Sequence, residues 1–212
     1  MKNALTWRKE HSWTEKPHNI AEWAKFFQFE TLGDSQLTEM LQEAARFILD
    51  AKEKRCVPRW LSMSGSNGAG KTYLLKRMAK WANSTKSFNT YTDIVTNEIK
   101  YKSVFVHWPK LAKELQDGGG RGMIEEVVNT QLVFLDDICA ARDKTGFITG
   151  ELSSLLSRRV GKWTAITSNL SVEQIAEKVD PRVASRLIRD GNCVVEVDVP
   201  DYWLRKIRSQ TT

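Results

Sequence analysis

The sequence predicts an α/β fold of the P-loop nucleotide-binding class, and three observations predict it. First, Gly65-Ser66-Asn67-Gly68-Ala69-Gly70-Lys71-Thr72 fits the pattern G-x-x-x-x-G-K-[ST] at every fixed position. Second, a short apolar run from Arg59 to Ser64 enters that loop, and an amphipathic run from Tyr73 to Trp81 leaves it. Strand, loop and helix in that order are the context the pattern requires. Third, Leu132-Val133-Phe134-Leu135 is an unbroken apolar run that ends in Asp136-Asp137. Such a run reads as a strand buried on both faces, as a parallel sheet demands. Ligands of open α/β sheets bind at the carboxyl ends of the strands, where this carboxylate pair falls.

The residue types in the loop match the chemistry of holding phosphates. Glycines let backbone N–H groups turn inward where a side chain would block the approach. Residues Gly65, Ser66, Asn67, Gly68, Ala69, Gly70, Lys71, Thr72 and Tyr73 are therefore expected to bind ATP. Lys71 supplies a point charge for the β- and γ-phosphates, and the Thr72 hydroxyl is a ligand for Mg²⁺. The helix that starts there adds its positive dipole end. Asp136, in the position of a Walker B carboxylate, would hold the same Mg²⁺, directly or through water. Asp137 would polarise the attacking water.

Along the chain, residues 1–33 form an aromatic arm carrying Trp7, Trp13, Trp23, Phe26, Phe27 and Phe29 with His11, Pro17 and His18. It is too short for a core of its own. Either its aromatics pack on the main domain, or it docks a partner protein. The main domain is expected over 34–212. Asp34 to Lys54 has helical spacing, with Asp34 or Ser35 as its cap, and its position before the first strand suits a lid or an adenine-side element. Asn83 to Asn89 is rich in turn residues, and Thr92 to Glu98 reads as a strand or a helix. Val104 to Trp108 is a strand, and Pro109 opens a helix to Gln116. The glycine loop from Gly118 to Gly122 follows, then a helix from Met123 to Asn129. After the strand from Gln131 to Asp137 come a helix from Phe147 to Arg159 and a strand from Trp163 to Asn169 with a polar tip. Asn169 at that tip is placed to orient a lytic water. Ser171 to Lys178 is a short capped helix, and Asp180 to Leu187 sets Arg182 and Arg186 one helical turn apart. Val194 to Val199 alternates as a last strand.

Bulk properties bound the remaining choices. The chain has 212 residues, 41% hydrophobic and 27% charged, which suits one soluble α/β domain with a short appendage. Its net charge of +6 favours an anionic partner beyond ATP, with nucleic acid foremost. No apolar run is long enough to cross a membrane, and the polar, aromatic N-terminus predicts no signal peptide. The 3 cysteines, Cys56, Cys139 and Cys193, are isolated, so neither a disulfide framework nor a zinc site is expected. A reducing cytoplasm is the expected location.

With both phosphate-site elements, Thr167-Ser168-Asn169 and the Arg182/Arg186 pair in this order, the chain resembles the AAA+ ATPases of the DnaC/IstB type. These are bacterial and phage helicase loaders and the ATP-binding partners of transposases. The resemblance spans about residues 35 to 205. It implies an AAA+ core with a five-stranded parallel sheet. It implies that Asn169 is the sensor 1 residue and that Arg182 or Arg186 reaches the γ-phosphate of a neighbouring subunit. It also implies that the loop after Asp137 faces a central channel, which makes Arg142 and Lys144 the candidate DNA contacts. Lys113 and Arg121 are secondary ones. Asp137 stands where many AAA+ proteins carry Glu, although loaders and IstB-like proteins often show Asp-Asp; Cys139 departs from the family, replacing its usual Gly.

The leading expectation is a replication ATPase that assembles as a homo-oligomer on ATP, binds single-stranded DNA and loads a replicative helicase. An IstB-like regulator that coats duplex DNA and recruits a transposase would use the same motifs. A nucleotide-gated interaction module with little turnover is the third possibility, and the shorter side chain of Asp137 keeps it open.

Overall fold

The computed structural model describes residues 19–53, 57–84, 91–92, 99–100, 103–141, 143–189 and 191–210. Trp7, His11, Trp13, Pro17, His18, Cys56 and Arg142 lie outside them, as do residues 85–90 and 93–98. The elements in chain order are α1 (Ile20–Phe27), α2 (Ser35–Glu53), β1 (Trp60–Gly65), α3 (Lys71–Ser84), β2 (Tyr91–Thr92), β3 (Ile99–Lys100) and β4 (Ser103–His107). They continue as α4 (Trp108–Gln116), α5 (Arg121–Asn129), β5 (Leu132–Asp136), α6 (Phe147–Arg158) and β6 (Trp163–Thr167). Then come α7 (Val172–Lys178), α8 (Pro181–Leu187), β7 (Cys193–Val197) and α9 (Tyr202–Gln210).

Five strands form one parallel sheet in the order β4-β5-β6-β1-β7. β2 and β3 pair separately as an antiparallel ribbon. Period-2 alternation splits the strand side chains between two cores. Leu132, Phe134, Leu61, Met63 and Ala165 face α1, α2 and α3. Val133, Leu135, Trp60 and Ile166 face the layer of α4 to α8. Apolar residues on both faces of each strand are what a parallel sheet between two helix layers requires. The fold is α/β: one five-stranded parallel sheet between two layers of helices.

Helix starts follow the sequence signals. Asp34 caps α2 by accepting from the Leu37 amide at 3.0 Å. Ser171 and Gln174 form a reciprocal capping box on α7. Asp180 caps α8, with Pro181 next to it. Two helices, α1 and α9, go beyond the sequence reading. α1 carries Trp23, Phe26 and Phe27 into the same core as α2 and α3, and Phe29 follows just past its end. The last strand is shorter than expected. It stops at Val197 because the next residues leave the sheet: the Asp198 amide donates to Gln36 Oε1 at 2.9 Å and the Val199 amide to Ser66 Oγ at 3.1 Å.

Candidate functional site

The loop from Gly65 to Gly70 joins the end of β1 to the start of α3 at Lys71. Ser66 stitches it to the tail of β7: its amide donates to the Val197 carbonyl at 2.9 Å and its hydroxyl to the Val199 carbonyl at 2.7 Å. Gly65 has φ +116, and a Cβ there would sit 2.1 Å from the Val197 carbonyl oxygen. Gly68 has φ +74, and a Cβ would fall 1.9 Å from the Asp201 carboxylate. Glycine is thus needed at both positions to accommodate the chain's own C-terminal segment.

Lys71 is 5% exposed and folds over the loop. Its Nζ donates to the carbonyls of Gly65 at 2.9 Å and Ser66 at 2.7 Å. Burial pushes its pKa below the ordinary lysine value, and the carboxylates of Asp137 and Asp136 oppose that shift.

Asp136, at the end of β5, is the hub of the site and is 1% exposed. Its Oδ1 accepts from Thr72 Oγ1 at 2.7 Å and from Thr167 Oγ1 at 2.8 Å. Its Oδ2 lies 3.1 Å from His107 Nδ1. The hydroxyl of Thr72 beside a carboxylate is a pair of hard oxygen donors, the set Mg²⁺ prefers. The residues present therefore fit that ion.

Asp137 sits in the left-handed region, with φ 59. Its amide donates to Thr167 Oγ1 at 2.9 Å, and Asn169 Nδ2 donates to its Oδ1 at 3.0 Å. Partial burial raises the Asp137 pKa, and the neighbouring Asp136 charge raises it further, against His107 and Lys71. The proposed base and the proposed water-orienting amide are joined by a hydrogen bond.

A cavity of about 690 Å³ opens over the loop. One wall is Asn67 to Tyr73 with Asn169, and the other is Gln28, Phe29 and Glu30 facing Asp201 to Trp203 and Arg205. The Tyr202 hydroxyl donates to Glu30 Oε2 at 2.8 Å and so ties the two ends of the second wall together. α2 is spent on the core, and none of the lining residues comes from it.

The sequence reading missed His107, Thr167 and the lining residues of α9. Asp201 after Pro200, followed by apolar residues at 203, 204 and 207, was a helix-start signal. His107 had none, since only strand register brings it to Asp136.

Arg182 and Arg186 are not among the lining residues. Arg182 pairs with Asp180, and Arg186 Nη1 donates to the Arg182 carbonyl at 2.9 Å. Lys144 is exposed in the loop before α6. Arg121 is held by Glu151 at 2.7 Å, and Lys113 is exposed on α4.

No protein-family model matches the chain, and no curated protein does. Solved structures do. DnaI aligns at 21% identity with a TM-score of 0.63, covering 88% of this chain and 93% of its own. The DnaC helicase loader aligns at 20% identity with a TM-score of 0.58, covering 91% and 98%. The chain has the DnaC-type AAA+ fold. AMPPCP-bound DnaA from Aquifex aeolicus aligns at 17% identity with a TM-score of 0.60, covering 88% of this chain but 54% of that one. The chain thus spans about half the length of that DnaA. Among the described residues, no helix of this AAA+ fold is long and apolar enough to cross a membrane.

Proposed function

We propose that the protein is an ATP-hydrolysing replication factor of helicase-loader type. It binds ATP with Mg²⁺, assembles with copies of itself through ATP, holds single-stranded DNA and engages a replicative helicase in the cytoplasm. The observation that carries this reading is the hydrogen-bonded cluster of Thr72, Asp136, Thr167, Asp137 and Asn169 at the carboxyl edge of the sheet, with Lys71 folded over the adjoining loop. Its setting supports the rest: a fold shared with a helicase loader over most of both chains, and a net charge of +6.

The residues divide the work. Lys71 exchanges its two carbonyl partners for phosphate oxygens. Thr72 and Asp136 would hold Mg²⁺, which would supply charge neutralisation for the phosphates. Asp137 takes the proton of the attacking water, and Asn169 fixes the carboxylate that does so. An arginine of the Arg182/Arg186 pair from a neighbouring copy stabilises charge on the transferring phosphoryl group. Lys144 and Arg142 meet DNA phosphates, so binding weakens as salt rises.

The test is ATP hydrolysis with and without single-stranded DNA while mass is followed by light scattering. Turnover stimulated by DNA, with ATP-driven assembly, is expected. Nucleotide binding with neither turnover nor assembly would replace this reading with the interaction module. Preference for duplex over single strands would replace it with the transposase partner.

A further inference from the structure

α9 presents an uncovered apolar face. Trp203 is 67% exposed, Leu204 55% and Ile207 62%. Helical spacing sets the three on one side of the helix. The helix itself is fixed in place. The Tyr202 amide donates to the Gly68 carbonyl at 2.9 Å, the Trp203 amide to Asp201 Oδ1 at 2.8 Å, and the Tyr202 hydroxyl to Glu30 Oε2 at 2.8 Å. Large apolar side chains grouped together and held out to water mark an interaction surface. Between Tyr202 and Gln210 the sequence has Arg205, Lys206 and Arg208 and no carboxylate. The helix is therefore basic as well as apolar.

The same chain carries a matching hollow. A cavity of about 290 Å³ lies beside the turn that follows Asp137, across the tips of β4, β5 and β6. Buried Trp108, Ile138, Ile148 and Leu152 form its floor. It is wide enough to take one large apolar side chain. Asp143 and Lys178 stand in its lining, and Glu173 and Glu177 are exposed on α7, whose last residue is Lys178. The surroundings of the cavity are acidic overall, where α9 is basic. α9 does not fill the cavity of its own copy. It follows β7, at one edge of the sheet, and is pinned to Gly68, whereas the cavity lies toward β4, at the other edge.

We propose that α9 of one copy docks at this cavity on the next, with its apolar face in the hollow and its cations toward Asp143, Glu173 and Glu177. This rests on the reading above that copies assemble, and it names the two surfaces that meet. The occupant is a second copy because both halves of the contact, alike in apolar character and opposite in charge, are present on one chain. A knob and a hollow at different edges make a heterologous contact, which joins copies head to tail. Complementary charge sets orientation and speeds encounter, while the buried apolar anchors supply most of the affinity. Trp203 also lines the ATP cavity, so the contact forms beside the bound nucleotide.

The test follows mass by sedimentation velocity in ATP for two variants and their mixture. Leu204→Asp puts a charge on the α9 face at a residue that does not line the ATP cavity. Glu177→Lys reverses an exposed charge on α7 and sets it beside Lys178. Both positions are exposed, so each variant keeps the parent's melting temperature and its ATP affinity. Each should need about 10-fold more protein than the parent to assemble. An equimolar mixture should form dimers, since one variant keeps its cavity and the other its α9. Assembly of either variant like the parent sinks the inference and leaves the assembly reading standing. A mixture that stays monomeric also sinks it, because the two faces then do not meet each other. If the parent stays monomeric in ATP, both readings fall together.

Discussion

Asp137 carries two requirements that conflict. As the proposed base it would have to be ionised, yet its burial and the adjacent Asp136 charge favour the protonated form. A carboxylate whose pKa rises on folding makes the native state bind its proton more tightly than the unfolded chain does, so its ionisation opposes folding. That penalty is absent when both states are protonated, appears as pH rises through the ordinary Asp range, and is complete above the raised native value. Asp137→Asn should therefore raise the melting temperature of the ligand-free protein at neutral pH, with the gain shrinking as pH falls below the ordinary Asp range. Asn tolerates the left-handed φ of 59 and can still accept from Asn169. The same variant should lose ATP turnover while keeping nucleotide binding. Thermal melts at two pH values with a turnover assay check both halves, and an unchanged melting temperature at neutral pH would count against the electrostatic account. At this scale the sequence was legible where chemistry follows local spacing, as in Lys71 and Thr72. It was silent on His107 and Thr167, which meet Asp136 from 29 and 31 residues away. Parallel register sets His107 directly opposite Asp136, and no local pattern encodes that pairing.

The elements are tied together by polar groups as well as by apolar faces, and Arg159 is the clearest case. It follows α6 and is 0% exposed. Its guanidinium donates to the carbonyls of Val127 at 2.6 Å, Thr130 at 2.8 Å and Trp163 at 2.6 Å, and to Thr164 Oγ1 at 3.0 Å. One side chain thus joins the ends of α5 and α6 to the start of β6. Burial pulls its pKa down to about 9, which still leaves it a cation at neutral pH. Arg159→Ala should destabilise the fold by about 3–5 kcal/mol, because it opens a cavity and strands three buried carbonyls. Urea unfolding measures this directly; a loss below about 1 kcal/mol would mean that water or a neighbour replaces the bonds. The element order was legible because apolar runs and caps mark it. α9 was passed over although Asp201 and the apolar residues at 203, 204 and 207 mark its start; its partners are the loop at Gly68 and Glu30, far away in sequence.

At the scale of the whole molecule, the described part of the N-terminal arm packs into the same apolar core as α2 and α3. Phe27 is 1% exposed, its ring 5.2 Å from Trp23 and 5.7 Å from Phe26, and its carbonyl accepts from Arg77 Nε on α3 at 2.8 Å. Phe29 packs against the phosphate loop: its ring lies 2.9 Å from where a Cβ on Gly70 would sit. Composition marked these aromatics as unusual but left open whether they meet the main domain or a partner, because an amphipathic segment looks the same in both settings. Four buried aromatic side chains, at about 1.5–3 kcal/mol each, account for much of the roughly 5–15 kcal/mol that holds a domain folded. A chain that starts at residue 34 should therefore fail to fold stably. The milder Phe27→Ala should cost about 3–5 kcal/mol while leaving a folded protein to measure. Because Gln28, Phe29 and Glu30 line the cavity, a shortened chain that survives should also bind ATP more weakly than the full one. Calorimetric melting and nucleotide titration of the two variants decide the matter. A 34–212 chain that melts like the full protein and binds ATP equally well would make the described part of the arm dispensable, and its aromatics would then have to be accounted for by a partner.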